Sequence, residues 1–405
     1  MNKKAPKILI ILFLLIIIIS NNFTVFADDE FSVDAKAALI VEKNTGKIIY
    51  EKNSETQNYP ASVTKILTAI LTIENCKLDD TATVSQSAIS QIPSGYVVAP
   101  LFIGEQMKIK DLLYALMLKS ANDAAYVLAE HVGGSVEGFS EMMNKKAKEI
   151  GCKNTHFVNP NGIHNDDHYT TAHDMYLISN YAMKNDTFAK IVSTYQYKLP
   201  ATNKYPNNDR IMENTNDFIN PKSGYYNKIV KGIKTGTTLQ AGNCLITDSS
   251  ENGLDFITVV LGAKTSNSKF SETRKMIKYA YNNYTLTDLH KKGDVIKNID
   301  VENATEETKN LNLIISDDAT VMNNVKIKKD EIKPNIELNE NIVAPIKEGD
   351  ELGTIKYNVD GLEYTAKLLA QKDVELKTYY VEIAIGVGIF FIIFIIFVKI
   401  KKKSR

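Results

Sequence analysis

Between Tyr379 and Val398 the chain reads YYVEIAIGVGIFFIIFIIFV, an apolar stretch whose single charge is Glu382. About 20 such residues suffice to cross the hydrocarbon core of a bilayer as a helix. Lys399, Lys401, Lys402 and Lys403 follow as a positive inner flank, and Tyr379 and Tyr380 stand where an interfacial aromatic belt would. Glu382 lies near the outer boundary, so its charge need not reach the bilayer centre. The sequence therefore predicts a single-pass transmembrane helix over 379–398 and a cytoplasmic basic tail over 399–405. At the other end, Lys3, Lys4 and Lys7 precede an apolar run from Ile8 to Ile19, and a polar stretch then closes on Val25-Phe26-Ala27. That layout predicts a signal peptide, 1–27, cleaved after Ala27. The folded part is expected within residues 28–378, outside the cytoplasmic membrane.

Lys+Arg and Asp+Glu both number 48, so the formal charge is zero. The basic surplus of a nucleic-acid binder is missing, and no nucleic-acid partner is expected. Cys76, Cys152 and Cys244 cannot all pair with one another, and no Cys-x-x-Cys occurs. No disulfide framework is implied, which leaves one dispensable bridge or free buried thiols.

Residues 36–52 predict two strands joined through Asn44-Thr45-Gly46. A helix is expected from the YPASVTK stretch to about Cys76, a second over Ile109–Val132, a third over Phe139–Ile150 and a fourth over Thr171–Lys184. Residues 153–170, rich in Asn, Asp and His, predict an ordered loop. Strands are expected over Ile229–Thr235, Asn243–Thr247 and Asp255–Ala263, then a helix over Ser271–Tyr284. Strands at both ends with helices between predict an α+β domain, helices packed on an antiparallel sheet, over 28–290. Beyond His290, alternating segments such as TIKYNVDGLEYTAKLLA, with a two-residue turn at Asp360-Gly361, predict a small all-β domain over 291–376.

Three short motifs carry the chemistry. Ser62 and Lys65 stand at i and i+3 of an expected helix start, on one face. A serine hydroxyl becomes a nucleophile when an adjacent base takes its proton, and a lysine of lowered pKa is such a base. The same spacing also describes a capping serine beside a solvated lysine, and a second copy, Ser266 to Lys269, shows how little it says alone. Ser120-Ala121-Asn122 places a hydroxyl and an amide where both could face a cleft, or where either could cap a turn. Lys234-Thr235-Gly236 ends an expected strand, where a cation and a hydroxyl can hold a carboxylate and Gly lets a substrate backbone approach.

Together and in this order the motifs resemble those of class A β-lactamases and penicillin-binding proteins. PASVTKILT, GEQMKIKDLLYALMLKSANDAA, THFVNPNGIH, GIKTGTTLQAG and VVLGAKTS extend the likeness over the ectodomain, and NIVAPIKEGDELGTIKY extends it into the last domain. The chain resembles the serine D-Ala-D-Ala carboxypeptidases, the low-molecular-mass penicillin-binding proteins of peptidase family S11. That resemblance implies a β-lactamase/transpeptidase-like domain followed by a C-terminal β-rich domain, on the extracytoplasmic side of a bacterial cell membrane. It implies a peptidoglycan stem peptide ending in D-Ala-D-Ala as substrate and β-lactam antibiotics as inhibitors. Ser62 would be the acylated nucleophile, Lys65 its base and Ser120 a proton relay. Asn122 would bind the substrate backbone, and Lys234 and Thr235 its carboxylate. Gly236 leaves room for the substrate, and the N–H groups of Ser62 and Thr237 would form the oxyanion hole. No cofactor and no metal are implied.

Ala121 and Thr237 depart from the residues common in relatives. Lys269 falls near a position where some relatives carry a carboxylate-facing arginine, though an exposed lysine is the simpler account. His164, His168 and His173 lack a helical His-Glu-x-x-His pattern, so no metal is expected. A β-lactamase and a catalytically silent wall-binding protein are the alternatives. No Glu-x-x-Leu-Asn lies between Asn122 and Lys234, and the intact trio argues against a silent protein.

Overall fold

The structure, a computed structural model, describes residues 31–378 and 380–403. The expected signal peptide over 1–27 lies outside the described residues, as does Tyr379 of the expected anchor.

Five antiparallel strands form the main sheet, in the order Ile48–Lys52, Ala37–Glu42, Leu254–Ala263, Gly242–Glu251 and Val230–Thr238. The first two make the expected hairpin, with Ala38 opposite Lys52. Every residue of Ala37–Glu42 is buried, because helices cover both faces of the sheet. Ala37, Leu39 and Val41 join one core with Ile66, Leu116 and Met175. Ala38 and Ile40 join another with Phe256, Met276 and Ala280. Successive side chains leave a strand on opposite faces, so two apolar layers require an unbroken apolar strand. Burying Leu39 or Ile40 in this way contributes about 1.5–3 kcal/mol each.

One expected helix is two. Ile109–Tyr114 and a wider π turn, Ala115–Lys119, end at Ser120, and a new helix runs Asn122–Gly133. Ser120 takes a left-handed φ of +64°, the Ala121 N–H donates to the Ala115 carbonyl at 3.1 Å, and the Asn122 N–H donates to Val97 at 2.9 Å. Apolar periodicity runs through the break because both halves pack into the same core. The last helix of this part is Ser266–Asn283, five residues longer at its start than expected, because Thr265 and Ser268 cap each other reciprocally.

A second five-stranded sheet has the order Val295–Asp300, Asn310–Ile315, Leu362–Ala370, Glu351–Val359 and Pro334–Leu338. Its core gathers Leu311, Leu313, Ile355, Tyr357 and Leu368. The Asp360-Gly361 turn is present, with Val359 opposite Leu362 and both turn residues at positive φ. Lys47, in the first hairpin, pairs with Asp360 at 3.1 Å and ties the two sheets' hairpins together.

The final helix is Tyr380–Lys403. Its described apolar side chains, Ile385 to Phe397, are exposed rather than packed on the protein. They cover about 20 Å at 1.5 Å per residue, against roughly 30 Å of hydrocarbon core. Among the described residues no helix is long and apolar enough to cross a membrane. All three cysteines are free thiols, of which Cys244 is buried.

Candidate active site

The turn that carries Ser62 is built by compression. Ala61–Thr64 forms one short 3₁₀ turn ahead of the helix Lys65–Asn75, and Ala61 sits at φ +49°. A Cβ on Gly236 would lie 2.8 Å from the Ser62 nitrogen, and one on Gly162 would lie 1.8 Å from the Ala61 carbonyl oxygen. The motif strand and the 153–170 loop therefore press on Ser62 from two sides, where only glycine fits. N–H groups in the first turn of a helix have no intrahelical partner, which leaves the Ser62 N–H available.

Lys65 is fully buried. Its Nζ lies 2.9 Å from Ser62 Oγ, 2.9 Å from Asn122 Oδ1 and 2.8 Å from the Asn161 carbonyl oxygen. Burial, helped by the nearby Lys234 charge and opposed by Asp123, holds the amine well below the usual lysine range. A neutral amine has two hydrogens and one lone pair. Asn122 Oδ1 and the Asn161 carbonyl accept the two hydrogens, which leaves the lone pair for the Ser62 hydroxyl proton.

Lys234 is also buried, and burial beside Lys269 brings it down to about 7. Thr235 Oγ1 meets Thr215 Oγ1 at 2.6 Å, and Thr237 Oγ1 donates to the Gly236 carbonyl at 2.8 Å. Ser62, Ser120, Asn122, Asn161 and Thr237 line one cavity of about 330 Å³, closed on a further side by Ser94–Val97. The three motifs, separated by more than 50 residues in each interval, thus meet around one space.

A family model described as D-alanyl-D-alanine carboxypeptidase matches residues 23–265, and one for the C-terminal domain of penicillin-binding protein 5 matches 284–376. The chain belongs to the D-alanyl-D-alanine carboxypeptidase family. The D-alanyl-D-alanine carboxypeptidase DacF of Bacillus subtilis (strain 168) is 33% identical over 355 residues, 86% of each chain. Among solved structures, penicillin binding protein 5 from Haemophilus influenzae superposes with a TM-score of 0.65 at 27% identity, over 85% of this chain and 98% of that one. DacD from Francisella tularensis gives 0.63 at 26% identity, over 86% and 95%.

Several residues of this family member's site escaped the motif reading. Asn161 supplies a carbonyl to Lys65, and Pro160 supplies one to Thr68 Oγ1 at 2.6 Å. His168 fastens the same loop. Its Nδ1 accepts the Val158 N–H at 3.2 Å, so its Nε2–H donates to Thr64 Oγ1 at 2.9 Å. Burial keeps that ring neutral, with its pKa lowered to about 3. Asp123, buried beside Asn122, accepts the N–H groups of Ala99 and Leu101, while Asn122 itself donates to the Val97 carbonyl and holds the Ser94–Val97 wall. The Asn-Pro-Asn-Gly run signals a tight loop, but nothing local says which helix it covers.

Lys269 is not exposed. It is only 6% accessible, lies against the Phe270 ring at 5.2 Å, and adds its charge to the surroundings of Lys234. The three histidines diverge. His164 pairs with Asp166 at 3.4 Å, His168 is buried on Thr64, and His173 pairs with Glu55 at 3.4 Å.

Proposed function

We propose that this chain is a serine D-Ala-D-Ala carboxypeptidase that removes the terminal D-alanine from peptidoglycan stem pentapeptides through an acyl-enzyme on Ser62. The observation that carries this reading is the fully buried Lys65 amine, 2.9 Å from Ser62 Oγ, whose pKa burial holds well below the usual lysine range. Ser62 Oγ attacks the carbonyl carbon between the two D-alanines, and its proton passes to Lys65 Nζ. The oxyanion takes hydrogen bonds from the N–H groups of Ser62 and Thr237, where one lost donor typically costs about 10²–10³ in rate. The C–N bond breaks as the leaving amine receives a proton relayed through Ser120, and D-alanine departs. Water then attacks the ester and restores Ser62. Asn122 orients the substrate backbone. Lys234 and Thr235 bind its carboxylate, and the approaching anion favours the charged form of Lys234. β-Lactams acylate the same hydroxyl and act as inhibitors.

Benzylpenicillin tests this directly. Mass spectrometry should find a long-lived adduct on the Ser62 peptide, and diacetyl-Lys-D-Ala-D-Ala should release D-alanine. Ser62→Ala should abolish both signals without changing the melting temperature. Rapid turnover of the antibiotic would instead identify a β-lactamase, and loss of both signals in the native chain would leave a silent wall-binding protein.

The same proposal covers organisation and location. The catalytic domain spans 28–290 and the β-rich domain 291–376, on the extracytoplasmic side of a bacterial membrane, with a leader over 1–27 and an anchor over 379–398. The exposed isoleucines and phenylalanines of the last helix support the anchor, since no described residue of the protein covers them. A full chain that alkaline carbonate strips from membranes would refute the anchor; truncation after Thr378 should release it.

A further inference from the structure

A second cavity, of about 590 Å³, lies beside the catalytic one. Lys36, Gln57, Asn58, Tyr59, Asp166 and Tyr169 line it. Its place is set by connectivity. Tyr59 is three residues from Ser62, and Asp166 three from Ile163, which lines the catalytic cavity. At ~3.5 Å per residue the ridge between the cavities is at most about 10 Å across. The ridge is the Tyr59 ring packed edge-on against His164, centroids 4.6 Å apart.

The lining is preformed and neutral in sum. Asn58 and Thr170 exchange backbone hydrogen bonds at 2.7 and 2.9 Å, and the Asn58 amide donates to the Thr56 carbonyl. The two charges are engaged. Lys36 Nζ donates to the Gln240 carbonyl at 3.2 Å, and Asp166 Oδ1 faces His164 at 3.4 Å and Tyr59 Oη at 3.5 Å. Among the described residues, the Gln57 amide and the Tyr169 hydroxyl have no side-chain partner, so both are available to a ligand. Phenol rings, an amide and a hydroxyl in a groove without net charge or aliphatic walls suit a neutral polyhydroxy ligand with an acetamide group. They do not suit a lipid or a polyanion.

We infer that this groove is a saccharide subsite that holds the N-acetylated amino sugar carrying the stem peptide. The inference rests on the function proposed above. The four residues on the acyl side of the scissile bond extend about 14 Å. A stem peptide seated with its scissile carbonyl at Ser62 is therefore long enough to carry its sugar past the 10 Å ridge and into this groove.

The test compares D-alanine release by the full chain from one pentapeptide, free and amide-linked to N-acetylmuramic acid. The native chain should favour the sugar-bearing form at least tenfold in kcat/KM. The double variant Gln57→Ala/Tyr169→Phe should lose that preference, while its rate on the free pentapeptide and its acylation by benzylpenicillin stay unchanged. Equal rates in the native chain, or a preference that survives the double change, would overturn the subsite. If neither substrate releases D-alanine, the proposed function fails instead, and calorimetry with the lactyl amide of N-acetylmuramic acid on the Ser62→Ala chain judges the groove alone. Binding that the double change weakens at least tenfold supports the subsite, and no binding, or unaltered binding, rejects it.

Discussion

The lysines of the catalytic cleft and those on and beside the second sheet are the same residue doing opposite things. Lys65 and Lys234 are buried without a carboxylate in hydrogen-bond contact, and desolvation drives both amines toward the neutral form. Lys347, Lys356 and Lys367 stand at the surface against Asp373, Glu337 and Glu351, at 2.8, 2.8 and 2.7 Å, and their pKa values are raised by those partners. Removing an ammonium group from water costs several kcal/mol, so a buried amine sheds its proton and becomes a base. An ammonium left in water keeps its proton and gains little from a screened ion pair. The lesson is that surroundings, not residue type, divide amines poised to lose a proton from solvated charges on this chain.

The sharpest way to break the contrast is to force a permanent charge into the cleft. Lys65→Arg cannot be neutralised, and acylation by benzylpenicillin should fall about 10²–10⁴-fold, the usual loss for a missing general base. Stopped-flow acylation measures it, and a variant within threefold of native would show that Lys65 is not the base. Next comes the turn that positions Ser62. Gly162→Ala drives a methyl group into the Ala61 carbonyl at a backbone φ of +82°. A displacement of about 1 Å at Ser62 should cost on the order of 10² in the same rate. Full activity would mean that the loop yields instead of the turn.

A third, smaller effect concerns pH. In its proposed role Lys234 would bind a carboxylate only when protonated, so kcat/KM for D-alanine release should decline above about 7. Lys234→Arg should move that limb upward, and an unmoved limb would assign it to another group. Stability provides the sign. Between about 7 and the ordinary lysine value of 10.5 the unfolded chain holds a proton that the native chain lacks, so Lys234 makes stability rise with pH in that window. Urea titrations of Lys234→Met should show a flatter rise. Lys356 runs the other way, its contribution present below its unfolded value and lost above its raised folded one. The smallest effect completes the comparison. Lys356→Ala should leave both the melting temperature at neutral pH and D-alanine release unchanged, and a clear loss of either would mean that this surface pair does more than its exposure allows.

Much of the fold was legible because its signals are local. The hairpin at Asn44-Thr45-Gly46, the Asp360-Gly361 turn and the strand Leu254–Ala263 all follow from turn chemistry and two-residue alternation. The break at Ser120 was not, because a left-handed residue inside a continuous apolar pattern leaves that pattern intact. The two Ser-x-x-Lys copies make the same point for the site. In the first, the side chains meet at 2.9 Å; in the second, Ser266 opens a helix at the surface while Lys269 turns inward toward Lys234. Spacing alone cannot separate them, since i and i+3 share a face in any helix.

By itself the sequence determined which residues could do chemistry and in what order they occur: Ser62 and Lys65, Ser120 and Asn122, Lys234 to Thr237. It also determined most of the strands and helices that carry them, the break at Ser120 excepted, because periodicity and turn residues act over a few positions. Only the tertiary structure decided that Lys65 is dry, that Asn161 and Asn122 take its two hydrogens, and that Gly162 and Gly236 hold Ser62 between them. Those outcomes depend on contacts across 57 and 96 residues of chain, and desolvation has no local signature. A lysine's charge state is set by what surrounds it once the chain has closed.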